Sequence, residues 1–231
     1  METTLPPKAV HPISLITEEM VAIFTKLGFS VALGPEMETE ENNFDLLNFP
    51  KDHPARDMQD TFWIKDKPGF VLRTHTSGVQ VRYMKSHTPP LAMISPGKVF
   101  RNEATDITHE MQFHQLEGLV VGEGITVEHL KGLLQQFLQE LFGPQAKIRL
   151  RPSFFPFVEP GFEVDVWTGS KWIELLGAGM VHPNVLKNGD IDPTKYSGFA
   201  FGIGIDRIMM VKGAITDVRY SYQGDLRFNQ W

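Results

Sequence analysis

The stretch from Leu91 to Val121 constrains this chain most, because two apolar-rich runs flank the polar segment Thr105 to Met111. Residues two apart share one face of a strand, so the pattern predicts two antiparallel strands joined by that loop. Gln115 and Glu117 alternate with Leu116, which sends both polar side chains to the same face. Arg101 and Glu103 follow the first run, and His109, Phe113 and His114 lead into the second. One hairpin thus gathers a guanidinium, carboxylates, a ring and imidazoles. Such a set can hold phosphates, a flat base and an ammonium group together.

The remaining pattern adds helices on either side of further strands. Ile16, Met20, Ile23 and Leu27 recur at helical spacing over Ser14 to Leu27, and Gly28 can end that helix. Gly34-Pro35-Glu36 reads as a turn after a short strand, and residues 37–60 as a long functional loop with helical pieces. Phe70 to Leu72 predicts a strand that leads through Arg73-Thr74-His75-Thr76-Ser77 into a helix ending near Ser86. Thr126 caps an amphipathic helix with Leu130, Leu133, Leu134, Phe137, Leu138 and Leu141 inward, stopped by Gly143-Pro144. Ile148 to Leu150, Phe162 to Thr168, Lys171 to Gly177 and Gly198 to Gly202 read as strands, and Ile205 to Val211 as a closing helix. Antiparallel strands with flanking helices make the fold class α+β.

At 231 residues and 42% hydrophobic, the chain can bury one large core, read as a loose lead-in over 1–12 and a single domain over 13–231. No segment approaches the roughly 20 apolar residues of a membrane span, and no signal peptide pattern precedes the first helix. The absence of cysteine excludes disulfides, thiol catalysis and cysteine-based zinc sites, which suits a cytoplasmic protein. A net charge of −6 argues against nucleic-acid binding by bulk electrostatics, so such contact needs a local patch or another chain.

Each candidate residue has a plain reading beside a chemical one. Arg101 with Glu103 can be a strand-surface ion pair; the same guanidinium fork can grip two oxygens of an α-phosphate and stabilise charge during attack. Phe113 can be core, or its ring can stack on a base with Arg207 closing the other side. His109 can reach the outer phosphates. Glu117 and Gln115 can form a solvated strand face or meet a substrate ammonium. Ser77 can be a helix cap or, with His75, a substrate contact. Phe155 and Phe157 can be core or an aromatic wall, with Glu159 as an oxygen ligand for Mg²⁺. Ala200, Gly202 and Gly204 strip one strand of bulk, either for tight packing or as a floor beneath a ring and a nucleotide.

The order Arg-x-Glu, loop, aromatic, then Gly-rich strand with Ile205-Asp206-Arg207 resembles motifs 2 and 3 of class II aminoacyl-tRNA synthetases. From His11 to Trp231 the chain resembles the α subunit of bacterial-type phenylalanyl-tRNA synthetase. The phrases that carry this are Leu27-Gly28-Phe29 through Gly34-Pro35-Glu36, Asn48-Phe49-Pro50, His53 through Phe62, Arg73 through Ser77, Phe113 through Gly118, and Phe155 through Pro160. The resemblance implies a class II antiparallel sheet flanked by helices. It implies ATP-dependent formation of phenylalanyl-adenylate and transfer of the acyl group to tRNA(Phe). Arg101 would hold the α-phosphate and the substrate carboxylate, and Phe113 and Arg207 would sandwich adenine. His75, Ser77, Gln115 and Glu117 would surround the amino acid's charged groups. Phe155, Phe157 and Ala200, with Gly202 on the floor, would form the ring pocket. Glu103 would serve either adenine or the amino group, and Glu159 would bind magnesium. Implied partners are a β subunit in an α2β2 assembly, or self-association through the motif 1-like region.

Members of that family carry an N-terminal coiled-coil arm that grips tRNA, whereas only 12 residues form the lead-in here. The resemblance is therefore to the catalytic module alone. A non-catalytic or tRNA-independent amino-acid-binding module is the alternative expectation.

Overall fold

The computed structural model describes residues 10–56, 60–167, 169 and 171–224. Most of the lead-in, the Asp57-Met58-Gln59 part of the His53 to Phe62 phrase, the expected strand end at Thr168 and the last residues to Trp231 lie outside these.

The frame is a seven-stranded sheet in the order β1-β4-β5-β9-β8-β7-β6. Its strands are β1 (Ser30–Val31), β4 (Leu91–Phe100), β5 (Gln112–Gly122), β6 (Lys147–Phe155), β7 (Val158–Trp167), β8 (Trp172–Val181) and β9 (Ser197–Gly204). All neighbours run antiparallel except the short edge pair β1 and β4, which is parallel. A separate two-stranded sheet joins β2 (Met37–Thr39) to β3 (Phe70–Leu72).

Alternation along the central strands splits the core between two faces. Leu116 on β5 and Phe199, Phe201 and Ile203 on β9 point to one face, where α1 (Pro12–Lys26), α4 (Val127–Phe142) and α6 (Ile205–Lys212) pack. Phe24 of α1 stacks between Phe137 of α4 and Phe201 of β9, at centroid distances of 4.5 and 5.3 Å. Leu119, Val121 and Ala200 point to the opposite face, which α3 (Gly78–Ser86) and α5 (Pro183–Asn188) cover at one end. The other end of that face stays open and carries Gln115 and Glu117. No helix among the described residues is long and apolar enough to cross a membrane.

Several boundaries differ from the sequence reading for identifiable reasons. Helix α1 starts at Pro12, inside the expected lead-in, because His11 Nδ1 accepts the Ile13 N–H at 3.2 Å and a first-turn proline needs no donor partner. The expected loop over 37–60 contains strand β2, α2 (Glu40–Asn43) and 3-10 turns; β2 is held by its ladder to β3, a pairing that local periodicity cannot reveal. Strand β6 extends through Pro152 to Phe155, which an edge strand tolerates because its outer N–H row is unpaired. Helix α5 was not expected; His182 caps it and Pro183 starts it.

Candidate functional site

The open end of the sheet face forms a cavity of about 710 Å³. Its floor is backbone. Gly177 of β8 pairs with Gly202 of β9, which in turn pairs with Glu117 of β5. A Cβ at Gly202 would sit 2.6 Å from Gln115 Nε2, and one at Gly177 would sit 3.0 Å from Phe155 Cζ. Glycine at these two positions lets a guest lie against the strands themselves.

One end of the cavity is built to receive a compact cation beside an apolar group. Glu117 is buried, hydrogen-bonded by Ser77 and by the Gln80 amide, and its Oε2 has no partner among the described residues. Burial pushes this carboxyl up to about 8, against the two hydrogen bonds that pull it down. Next to it the Gln115 Oε1 accepts the Thr76 N–H at 3.3 Å. His75 is also buried, and burial, assisted by the Arg101 charge, lowers its pKa to about 3, so the ring is neutral. Neither of its ring nitrogens has a well-aligned hydrogen-bond partner among the described residues, although the Asn43 backbone lies close enough to oppose the shift. The His75 ring centroid lies 5.9 Å from that of Phe49 with the planes at 8°, and Phe157 and Phe155 continue the aromatic wall. Unpaired polar atoms buried in a cavity are costly unless a ligand pairs them.

The other end is cationic and flat. The Arg101 guanidinium lies 4.9 Å over the Phe113 ring, and its Nη1 is 3.9 Å from Glu103. Arg207 leaves the first turn of α6 immediately after Gly204, an exposed cation with no ion pair among the described residues. A second cavity of about 180 Å³ adjoins here, sharing Arg101, Glu103, Phe113 and Arg207 and adding His109, Asp206 and Val218.

The structure therefore brings together Arg101, Glu103, Phe113, Gln115, Glu117, His75, Ser77, Phe155, Phe157, Gly202 and Arg207 around one cavity, with His109 in the annex. It does not bring in two others. Ala200 is 2% exposed, belongs to the core cluster against which Phe155 and Phe157 pack, and is not among the residues lining the cavity. Glu159 lines neither cavity; it sits at an irregularity in the β7 register, its side chain 77% exposed and 3.5 Å from His182. Ser77 occupies the cap position of α3 but makes no capping bond, its hydroxyl being turned to Glu117 instead.

Sequence reasoning passed over Phe49, Asp60, Glu163 and Glu174, all of which line the larger cavity. The last two sit on neighbouring strands and share one cation, with Arg151 Nη1 at 2.8 Å from Glu163 and Nη2 at 2.9 Å from Glu174. The alternation of Glu163 with Asp165 was the available signal. Among the described residues no group of three or more His, Cys, Asp or Glu side chains could hold a metal ion by itself.

Comparison with known proteins gives this geometry a context. The family described as tRNA synthetases class II core domain (F) matches residues 2–231. The chain is 51% identical to the phenylalanine--tRNA ligase alpha subunit of Persephonella marina, over 100% of this chain and 71% of that protein. It is 53% identical to the protein of the same name from Caldanaerobacter subterraneus, over 94% of this chain and 67% of that protein. Among solved structures, pyrrolysyl-tRNA synthetase from Desulfitobacterium hafniense superposes with a TM-score of 0.72 over 92% of this chain and 74% of that chain. At 17% identity this is a likeness of fold. With half its residues shared along nearly its whole length, the chain belongs to the class II tRNA synthetase core-domain family, among the phenylalanine--tRNA ligase alpha subunits.

Proposed function

We propose that this chain is the catalytic module that joins phenylalanine to ATP and then passes the phenylalanyl group to tRNA(Phe). The observation that carries the reading is one cavity with a carboxylate and an aromatic wall at one end and a guanidinium over a phenyl ring at the other. An α-ammonium beside Glu117 gives the unpaired Oε2 its donor, and the phenyl group lies against Phe155 and Phe157. The amino acid's carboxylate then points along the glycine floor towards Arg101.

In the first step a carboxylate oxygen attacks the α-phosphorus of ATP, the bond to the β-phosphate oxygen breaks, and pyrophosphate leaves. Arg101 binds the non-bridging α-phosphate oxygens where charge concentrates, while Phe113 and Arg207 hold the adenine between them. In the second step a ribose hydroxyl of the terminal adenosine attacks the acyl carbon, and AMP leaves. Neither step needs a strong protein base, since positioning and charge stabilisation supply most of the acceleration. Neutral His75 suits this division, adding a polar edge without a competing positive charge.

A magnesium ion carried by ATP is coordinated mainly by phosphate oxygens and water, so one or two protein carboxylates suffice to hold it. Glu163 and Glu174 are the carboxylates of the cavity wall that could do so, on neighbouring strands and bridged by Arg151, whose guanidinium the ion would have to displace. Bound there, the ion would offset charge on the departing pyrophosphate. Glu159, outside the cavity, takes no part in this reading. The alpha-subunit name borne by the relatives supports a β partner for this chain as well.

Phenylalanine-dependent ATP–pyrophosphate exchange tests the proposal, with tyrosine and leucine as controls. Exchange driven by phenylalanine is the expected outcome. Silence from a folded sample, both alone and with an added bacterial β subunit, would refute it and favour a non-catalytic amino-acid-binding module.

A further inference from the structure

The nucleotide end of the cavity has a wall with no part in the reaction just described. Segment Asp217–Tyr222, a short 3-10 turn flanked by its capping residues, follows α6 in the chain and contacts the β4–β5 loop, β5 and α6. The Val218 N–H donates to the Ile107 carbonyl at 2.9 Å, tying the segment to the loop between β4 and β5. The Tyr222 hydroxyl donates to Asp206 Oδ1 at 2.5 Å, and Asp206 Oδ2 accepts the His114 N–H at 2.6 Å. Tyr222 also lies parallel to the His114 ring, at 7° and 6.4 Å, with its hydroxyl 3.2 Å from His114 Nδ1. On the far side Ser221 takes His11 Nε2 on its carbonyl at 2.9 Å.

Asp206 is the centre of this arrangement. It is 5% exposed, precedes Arg207 directly, and is bonded to the residue that follows Phe113. A carboxylate buried so deeply stays charged only while donors surround it, and here one donor comes from β5 and one from the carboxyl-terminal segment. Burial raises its pKa while the Tyr222 and His114 bonds lower it, so loss of either donor weakens the anion. Its place in the first turn of α6 adds the favourable field of the helix N-terminus.

We propose that this segment is a clasp on the nucleotide site, with Val218 forming a wall of the base pocket and Tyr222 and Asp206 acting as positioning residues for Phe113 and Arg207. Val218 lines the smaller cavity beside Phe113 and Arg207, so its side chain meets the edge of whatever base lies between them. Tyr222 and Asp206 act through others. They set the distance between the strand that carries the ring and the helix that carries the cation, and hence the gap into which a purine slides. The clasp rests on the nucleotide-activating reading above.

The test compares Tyr222→Phe, Asp206→Asn and a control, Ser221→Ala, whose hydroxyl lies in the same segment but points to the Met209 sulfur at 3.5 Å. Pyrophosphate exchange gives KM for ATP and for phenylalanine, and calorimetry gives the ATP dissociation constant directly. Tyr222→Phe removes one oxygen and should raise both ATP constants about five- to tenfold while KM for phenylalanine stays put. Asp206→Asn should do more, since its amide cannot accept from both donors, and Ser221→Ala should match the parent. A Tyr222→Phe variant with a lower melting temperature and unchanged ATP constants would overturn the proposal, as would equal rises for both substrates. If the parent chain shows no exchange, the calorimetric comparison still decides. A parent that neither exchanges nor binds ATP removes both the clasp and the reading beneath it.

Discussion

Replacing Glu117 with glutamine should abolish the loss of stability that rising pH causes near neutrality. Burial moves this carboxyl from 4.5 to about 8, so between those values the folded protein keeps a proton that the unfolded chain has released. The folded state binds more protons there, and stability falls as pH rises through the window. His75 acts with the opposite sign. Its imidazole is lowered from 6.5 to about 3, so between those values the unfolded chain binds more protons and stability climbs with pH. The two slopes oppose each other from 4.5 to 6.5, and above 6.5 only that of Glu117 remains. Each pH unit is worth about 1.4 kcal/mol, so raising the pH from 6.5 to 8 should cost the parent about 2 kcal/mol. In Glu117→Gln that loss should vanish, leaving stability nearly level across the same range. Urea unfolding of both proteins at the two pH values measures this, and the difference between proteins cancels every group they share. On a thermal scan the parent's loss amounts to about 4–8 °C. Identical pH dependence in the two proteins would refute the assignment of a neutral, buried carboxyl. Phenylalanine affinity should rise between pH 7 and 8 in the parent, as the carboxylate becomes available to the ammonium, and stay flat in the variant.

Three further substitutions probe other parts of the cavity. Arg101→Lys keeps a positive charge but loses the planar fork, so exchange should fall about 100-fold with the circular dichroism unchanged; activity within a few-fold of the parent would remove Arg101 from the α-phosphate. Ala200→Gly takes a methyl group from the core cluster against which Phe155 and Phe157 pack, which should let the wall recede and raise kcat/KM for 4-chlorophenylalanine relative to phenylalanine, at a stability cost of about 1 kcal/mol. Unchanged discrimination in a folded variant would show that the wall does not depend on Ala200. Gly118→Ala points a Cβ into the ring of Phe201, itself 1% exposed, and should destabilise the protein by about 3 kcal/mol or prevent folding; an unaltered urea midpoint would show that the ring moves aside freely.

How far this fold could be read in the residues depends on whether the deciding interactions are local. The β4–β5 hairpin and α4 announce themselves because their burial pattern repeats within one element: Leu130, Leu134, Phe137, Leu138 and Leu141 lie inward as their spacing requires, while Leu133, at the edge of that face, is only partly buried. Strand β2 is legible only through its partner β3, and the turn between β6 and β7 is set by a register shift rather than by local propensity. The same division holds in the cavity. Arg101, Phe113 and Arg207 lie in compact phrases, whereas Glu163 and Glu174 become cavity residues only when β7 and β8 pair. Glu159 is the converse case, a residue whose local setting and place in the fold differ. A carboxylate next to a proline and close to Phe155 and Phe157 reads as part of a pocket, whereas at the register shift of β7 its side chain is exposed beside His182.

The paired glycines under the cavity, Gly177 and Gly202, also limit how this protein can acquire new substrates. Every amino acid other than glycine is larger, so any single change on the floor subtracts space and none adds it. At Gly202 the first added carbon already collides with Gln115. A lineage that drifts from phenylalanine towards another side chain must therefore alter the aromatic wall or what stands behind it. The floor can close the site by one mutation, but it cannot remodel it.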